Sequence, residues 1–122
     1  MSEKKKVLLV EDTPAILKLT CFRLEKAGFE VITAMDGLAA LEAVKNNLPD
    51  IILLDCGLPG IDGGEVIRRL KADERFKKIP VIIFTATIEN VNYFRQLGAD
   101  DAIAKPYEPE ELIAKIKNNL SS

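Results

Sequence analysis

Four short apolar runs in this sequence are each followed by residues that carry charge or donate hydrogen bonds. Glu11 and Asp12 follow VLLV, Asp55 follows IILL, Thr85 follows VIIF and Lys105 follows AIA. The three carboxylates and the ammonium group have a combined formal charge of −2, which one divalent cation would neutralise. Because carboxylate and water oxygens suit Mg²⁺ and Mn²⁺, these residues predict an oxygen-ligated site for one of these ions.

The hydroxyl and ammonium groups extend this prediction to a bound phosphoryl group. Thr85 and Lys105 would donate to phosphoryl oxygens, and a metal ion would polarise the same group. An aspartate can accept a phosphoryl group as a covalent aspartyl phosphate, and Asp55 ends the central apolar run. The glycine-rich segment that follows it would let the backbone approach the metal and the phosphate. Asp55 is therefore the predicted nucleophile.

The composition narrows both the kind of chemistry and the class of protein. The 122-residue chain contains no histidine, which excludes histidine-activated nucleophiles and most zinc sites. Its net charge of −2 does not indicate a surface for nucleic acid. The two cysteines, Cys21 and Cys56, form neither a disulfide framework nor a metal-ligand spacing. The sequence shows neither a signal-peptide pattern nor an apolar run long enough to span a membrane. We therefore expect one cytoplasmic domain that does not enter the membrane.

Five short runs rich in β-branched residues predict strands. They are VLLV (7–10), EVITA (30–34), IILL (51–54), VIIF (81–84) and AIA (102–104). Amphipathic stretches separate them, and this alternation is typical of an α/β domain with a parallel sheet covered by helices on both faces. In such sheets ligands bind beyond the carboxyl ends of the strands, where the polar residues lie.

The five predicted helices have recognisable ends and one apolar face each. Thr13 would cap the first with Pro14 at its first position, Gly28 would end it, Asp36 would cap the second, Gly98 would end the fourth and Pro109 would begin the fifth. The inner faces would carry Leu17, Cys21 and Leu24; Leu41, Val44 and Leu48; Val66, Ile67 and Leu70; Ile88, Val91 and Phe94; and Leu112, Ile113, Ile116 and Leu120.

Taken in order, the segments VLLVEDTP, IILLDCGLPGIDG, VIIFTA and GADDAIAKPYEPEEL resemble the receiver (phosphoacceptor) domain of two-component response regulators, over essentially the whole chain. The resemblance implies a flavodoxin-like, doubly wound, five-stranded parallel sheet of order 2-1-3-4-5 with five helices. We expect residues 1–122 to form a single receiver domain with flexible ends at 1–5 and 121–122. We expect no output domain in this chain.

The resemblance also implies roles at the metal site. Asp55 would be the phosphoacceptor, and Asp12 and Asp55 would bind Mg²⁺ directly, with Mn²⁺ as an alternative. Glu11 would bind the ion directly or through water, and Gly57 would bind it through its backbone carbonyl. These assignments match the charge argument made from the residues alone.

Further implied roles concern the phosphoryl oxygens and the response to them. Thr85, Lys105 and the backbone N–H of Ala86 would hold the oxygens, and the Lys105–Pro106 bond would be cis. One position departs from the family: three residues before the lysine, where receivers usually carry Tyr or Phe, this chain has Ala102. We expect Thr85 still to move toward the phosphate, and the signal to pass through backbone and apolar repacking.

The resemblance implies a phosphorylation-controlled signalling module. A partner histidine kinase or histidine phosphotransfer protein would supply the phosphoryl group to Asp55 in a Mg²⁺-dependent step, switching a surface that binds a downstream protein. The chain would catalyse its own phosphorylation and autodephosphorylation without being a metabolic enzyme. It would act as a monomer or a phosphorylation-dependent dimer, without direct contact to nucleic acid. Candidate surface residues are Asn90, Tyr93, Ala102 and Lys115.

Three other classes remain open at this point. A metal-dependent phosphohydrolase would need a second carboxylate two residues after the nucleophile, where this chain has Gly57. A flavin- or nucleotide-binding module would need an uncharged phosphate loop after the first strand, where this chain has EDTP. A phosphorylation-independent interaction domain on the same scaffold stays possible because of Ala102.

Overall fold

The computed structural model describes residues 4–56, 62–85 and 91–120 of the chain. Strands and helices alternate along these residues, as the apolar pattern predicts. The strands are β1 (Lys6–Val10), β2 (Glu30–Ala34), β3 (Ile51–Asp55), β4 (Val81–Thr85) and β5 (Asp101–Ala104). The helices are α1 (Pro14–Lys26), α2 (Gly37–Asn47), α3 (Gly63–Ala72), α4 (Val91–Leu97) and α5 (Pro109–Leu120).

All five strands are parallel, and their order is β2-β1-β3-β4-β5. The predicted fold class and strand order are therefore confirmed. The direction of winding reverses between β1 and β3, because the chain first adds β2 on one side and then adds β3, β4 and β5 on the other. The carboxyl ends of β1 and β3 meet at this reversal, which is the usual place for a ligand in a doubly wound sheet.

The continuous apolar runs are explained by helices that cover both faces of the sheet. Along β3, Ile51 and Leu53 face the side covered by α1 and α5, whereas Ile52 and Leu54 face α2, α3 and α4. All four side chains are fully buried. A strand with two covered faces needs apolar residues at every position, so β3 fixes its last residue, Asp55, on a rigid support.

Most of the predicted helix ends agree with the structure. The Asp36 carboxylate accepts a hydrogen bond from the N–H of Ala39 at 2.7 Å and so caps α2. Gly28 and Gly98 follow α1 and α4 with φ values of 100° and 122°, in the left-handed region that favours glycine. At α1, Pro14 occupies the first turn, but the Thr13 side chain makes no capping hydrogen bond.

Among the predicted inner-face positions that the structure describes, which do not include Ile88, Leu48 is wrong. The apolar spacing of α2 predicts Leu48 on its buried face, together with Leu41 and Val44. In the structure α2 ends at Asn47, and Leu48 has a left-handed backbone with φ of 42° that turns the chain away from the helix. Its side chain is 59% exposed, because the helical period no longer determines its direction once the helix has ended.

None of the helices within the described ranges is both long and apolar enough to cross a membrane.

Candidate functional site

The strand register brings four of the predicted site residues to one edge of the sheet. Val10 pairs with Leu54, so Glu11, the next residue after β1, lies beside Asp55. On the other side of β3, Asp55 pairs with Phe84, which precedes Thr85. The N–H of Lys105 donates to the carbonyl of Thr85 at 2.9 Å, which places the lysine at the same edge. The site is thus assembled from the ends of β1, β3, β4 and β5.

Three carboxylates lie close together at this edge. One oxygen from each of Glu11, Asp12 and Asp55 can be chosen so that all three lie within 4.8 Å of one another. The ammonium of Lys105 is 3.3 Å from Oδ2 of Asp55 and 3.9 Å from Oε1 of Glu11. The predicted acidic cluster and its lysine are therefore real neighbours in space.

Burial makes this cluster electrostatically unfavourable in the absence of a cation. Glu11 is only 2% exposed and Asp55 only 7%. Burial raises the pKa of the Glu11 carboxyl above its ordinary value of 4.5, and the negative charge and hydrogen bond of Asp55 raise it further. The N–H of Thr13, 3.1 Å from Oε2 of Glu11, and the charge of Lys105 act in the opposite direction.

This donor set fits a divalent cation that prefers oxygen. Carboxylates held within a few ångströms repel one another, and a cation between them would relieve that repulsion. Asp12 is half-buried and faces solvent more than Glu11 does, so the site has an open side where water could complete the coordination shell. Glu11, Asp12 and Asp55 are thus able to hold such an ion.

Of the remaining predicted site residues, the structure describes Thr85 but not Gly57 or Ala86. Thr85 ends β4 and is 3% exposed, at the place where its hydroxyl was predicted. The Lys105–Pro106 bond is cis, as the resemblance implies. Gly57, Ala86 and the surface candidate Asn90 lie outside the described residues.

Two features near the site were not predicted. The ring of Phe84, next to Thr85, stacks on Tyr107 with centroids 5.3 Å apart and planes inclined by 10°. Only the position of Tyr107, two residues after Lys105, could have drawn attention to it. Burial, reinforced by Asp55, raises the pKa of the Cys56 thiol to about 12, which keeps this thiol protonated and unreactive.

Comparisons with known proteins agree with this geometry. The model of the response regulator receiver domain family matches residues 7–117. The phosphate regulon transcriptional regulatory protein PhoB of Escherichia coli is 42% identical over 115 residues, which are 93% of this chain and 50% of that protein. The chain thus spans about half the length of the curated relatives it matches first.

Solved structures give the same result. The chemotaxis response regulator CheY4 of Vibrio cholerae has a TM-score of 0.92 and 29% identity over 97% of this chain and 100% of its own. The receiver domain of a sensor histidine kinase from Pseudomonas aeruginosa has a TM-score of 0.91 and 30% identity over 98% of this chain and 100% of its own. That structure contains a magnesium ion coordinated in its active site cleft. By fold, sequence and family match, this chain belongs to the response regulator receiver domain family, whose members are signalling modules and not metabolic enzymes.

Proposed function

We propose that this chain is a phosphorylation-controlled switch in which Asp55 accepts a phosphoryl group in the presence of Mg²⁺. The observation that carries the proposal is the position of Asp55, buried on the central strand between two carboxylates and the Lys105 ammonium. A buried acidic cluster costs several kcal/mol, out of a total stability of about 5–15 kcal/mol. Such a cluster is more easily explained by function than by folding.

In the proposed transfer, Asp55 is the nucleophile. One of its carboxylate oxygens forms a bond to phosphorus while the P–N bond to a histidine of the donor protein breaks. The donor imidazole leaves as a neutral ring because it keeps the proton on its other nitrogen. In the resetting step, water attacks phosphorus, the bond to Asp55 breaks to restore its carboxylate, and phosphate leaves as H₂PO₄⁻ with the oxygen and both protons of the water.

The neighbouring residues supply charge and position. Glu11, Asp12 and Asp55 would hold the metal ion together with the Gly57 carbonyl, and the bound ion would polarise the phosphoryl oxygens. The ammonium of Lys105, which is 3.3 Å from Oδ2 of Asp55, would form an ion pair with a phosphoryl oxygen. Thr85 and the Ala86 N–H would donate hydrogen bonds to the other oxygens. We propose Mg²⁺ as the physiological ion and Mn²⁺ as a substitute.

Exposed apolar side chains near the same edge support a protein as the phosphoryl donor. Ile16, Leu19 and Phe22 recur along α1, which begins beside the carboxyl end of β1. Met35 and Leu38 lie where β2 leads into α2, also at this edge. Such exposed apolar residues are common where proteins dock. A histidine kinase or a histidine phosphotransfer protein fits both this surface and the chemistry.

Residues 1–122 act as one receiver domain in the cytoplasm, and the free thiols of Cys21 and Cys56 suit that reducing compartment. The net charge of −2 favours protein partners over direct contact with nucleic acid. Phosphorylation would switch the affinity for a downstream protein, and the domain would be a monomer or a phosphorylation-dependent dimer. Autodephosphorylation would reset the switch.

Intact-mass spectrometry after incubation with acetyl phosphate or phosphoramidate tests the proposal. With Mg²⁺ we expect a single phosphoryl adduct on the wild-type chain, and no adduct without Mg²⁺. Asp55→Asn is the matched variant, because the amide keeps the shape of the side chain but is not a nucleophile. An adduct on the folded Asp55→Asn protein, or none on the folded wild type, would overturn the assignment of Asp55.

A further inference from the structure

We propose that a basic groove between α2 and α3 docks an acidic segment of a partner protein that presents one apolar side chain. The groove has a volume of 230 Å³. Its lining residues, which define the α2–α3 groove, are Leu41, Lys45, Arg69, Leu70, Asp73, Arg75 and Phe76. This inference concerns a second surface and does not depend on the phosphorylation of Asp55.

The lining combines an apolar floor with a cationic rim. Leu70 and Phe76 are almost fully buried and belong to the core beneath the groove. Lys45 and Arg69 come from the last turns of α2 and α3, and Arg75 from the segment after α3. With Asp73 as the one carboxylate of the lining, the groove has a formal charge of +2, which becomes +1 when Glu65, the ion-pair partner of Arg69, is included, although the whole chain has −2. Its charge therefore selects an anionic partner.

Hydrogen bonds and a ring contact fix the orientation of the two arginines of the groove, Arg69 and Arg75. Two nitrogens of Arg75, Nε and Nη2, bond to the two oxygens of Asp73 at 3.1 and 2.8 Å, and the guanidinium lies 4.7 Å from the Phe76 ring centre. Arg69 is oriented by a 2.8 Å bond from its Nε to Glu65. Among the residues that the structure describes, Lys45 takes part in no ion pair. Fixed arginines lose little freedom on binding, and this favours affinity.

The size and continuity of the surface favour a protein segment over a small molecule. A volume of 230 Å³ is below the roughly 300–1,000 Å³ of typical small-molecule sites, so it suits one anchoring side chain. A second, more open hollow of 300 Å³ continues past Arg75. It is lined by Leu48, Pro49, Asp50, Arg75, Lys78, Ile79 and Pro80. An extended chain could place its anchor in the first hollow and rest on the exposed Leu48 in the second.

This surface lies at the opposite edge of the sheet from the acidic cluster. Residues 48–50 lead into the amino end of β3, and residues 73–80 lead into the amino end of β4. Asp55 and Thr85 are at the carboxyl ends of the same two strands. A partner on the α2–α3 groove would therefore leave Asp55 open to its phosphoryl donor.

NMR titration of the ¹⁵N-labelled protein with the peptide acetyl-EDFDE-amide tests the inference. We expect saturable shifts of the amides of Lys45, Arg69, Arg75 and Phe76, with a dissociation constant on the order of 1 mM or tighter. Replacing the peptide's Phe by Gly, or its acids by Lys, should weaken binding at least tenfold. Asp55→Asn should bind the peptide as the wild type does, which separates this result from any failure of the phosphorylation chemistry.

A pair of charge-reversal variants provides the matched control. Lys45→Glu combined with Arg69→Glu should reduce affinity at least tenfold, whereas Lys26→Glu combined with Lys117→Glu, on α1 and α5, should leave it within twofold. The unchanged spectrum of the remaining residues verifies the fold of each variant. Shifts spread over other basic surfaces, or inorganic phosphate causing the same shifts at the same concentration, would overturn the inference in favour of unspecific anion binding.

Discussion

At the scale of single residues, the main electrostatic feature is Lys105 paired with Asp55 inside a cluster of excess negative charge. The lysine is 3.3 Å from Asp55 and 3.9 Å from Glu11, so its single charge is shared between two carboxylates. Because the positive charge of Lys105 is shared, it neutralises the negative charge of Glu11 only in part. Burial raises the pKa of the Glu11 carboxyl. The metal-free domain is therefore destabilised at Glu11 by the same charges that would attract a cation.

Glu11→Gln should make the metal-free protein more stable at pH 7, by about 1 kcal/mol in the free energy of unfolding. Because the folded pKa of Glu11 is raised above 4.5, ionised Glu11 costs stability at high pH, and this cost disappears as the pH falls through the folded pKa toward 4.5. The advantage of the variant should therefore shrink as the pH is lowered across that range.

Urea denaturation between pH 4.5 and pH 8 in the presence of a chelator measures this difference. Glu74→Gln, which removes an exposed carboxylate, is the control and should change stability by less than about 0.5 kcal/mol at every pH. A Glu11→Gln protein that is less stable than wild type at pH 7 would contradict the electrostatic account.

At the scale of elements, α1 has two different faces. Leu24 is fully buried against the sheet, while Ile16, Leu19 and Phe22 are exposed. Leu19→Glu should slow phosphoryl transfer from a protein donor at least tenfold, the effect of about 1.4 kcal/mol, because a charge would enter an apolar contact. Transfer from acetyl phosphate should be unchanged, since the small donor needs no docking surface.

The test measures the rate at which a radiolabelled phosphoryl group is transferred from a phosphorylated histidine kinase, and compares it with the rate of the acetyl phosphate reaction. Leu48→Glu is the matched control, because Leu48 is similarly exposed but lies at the opposite edge of the sheet. Equal transfer rates for the Leu19→Glu variant and the wild type would remove α1 from the donor-binding surface.

The glycines in the turns after α1 and α4 differ in the space around them. Gly28 and Gly98 both have positive φ, but a Cβ on Gly28 would meet nothing within 4 Å, whereas one on Gly98 would lie 2.6 Å from Cγ of Lys71. Lys71 cannot move freely, because its ammonium bonds to the carbonyls of Lys77 and Ile79 and to Asp100.

Gly28→Ala should therefore cost about 1–2 kcal/mol of stability from backbone strain alone. Gly98→Ala should cost at least about 1 kcal/mol more, because the side chain of Lys71 must also shift. Urea denaturation of both variants measures the difference. A smaller loss for Gly98→Ala than for Gly28→Ala would show that Lys71 does not constrain this turn.

At the scale of the whole molecule, the edge strand β5 connects the site to the helices around it. Ile83 of β4 pairs with Ala102, and Asp101 of β5 accepts hydrogen bonds from Asn119 at 3.0 Å and from Lys115 at 3.4 Å on α5. A displacement of β4 and β5 would reach α5 through these contacts. Ala102 is half-buried on the core cluster beneath α2, α3 and α4 and contributes no aromatic ring.

Beryllofluoride with Mg²⁺, a mimic of the phosphoryl group, should therefore change the amide chemical shifts of Ile83, Ala102 and Ile103 despite the missing aromatic residue. The expected reason is repacking of the backbone and of apolar side chains around β4 and β5. NMR spectra of residues 85–107 that are nearly identical with and without the mimic would refute this route for the signal.

Much of the fold could be predicted because the central strands β1, β3 and β4 are covered on both faces and so appear as unbroken apolar runs, whereas the edge strands β2 and β5 are only partly buried. The proximity of Glu11, Asp12, Asp55 and Lys105 could also be predicted, because parallel strands all end at one edge of the sheet. Leu48 was misplaced because α2 ends there without the glycine that usually marks a left-handed turn. The Phe84–Tyr107 stack and the α2–α3 groove depend on side chains from separate segments, which local patterns do not encode.

The parallel pairing of the strands also affects the order in which the site forms during synthesis. Because the sheet is parallel, each pair of neighbouring strands joins distant parts of the chain; the N–H of Lys6, for example, bonds to Asp50, 44 residues later. Glu11, Asp12 and Asp55 leave the ribosome long before Lys105, which follows the last strand. A nascent chain thus carries the carboxylates without their lysine. The site is complete only when β5 has paired, so it cannot form before the segment that carries β5 and Lys105 has been synthesised.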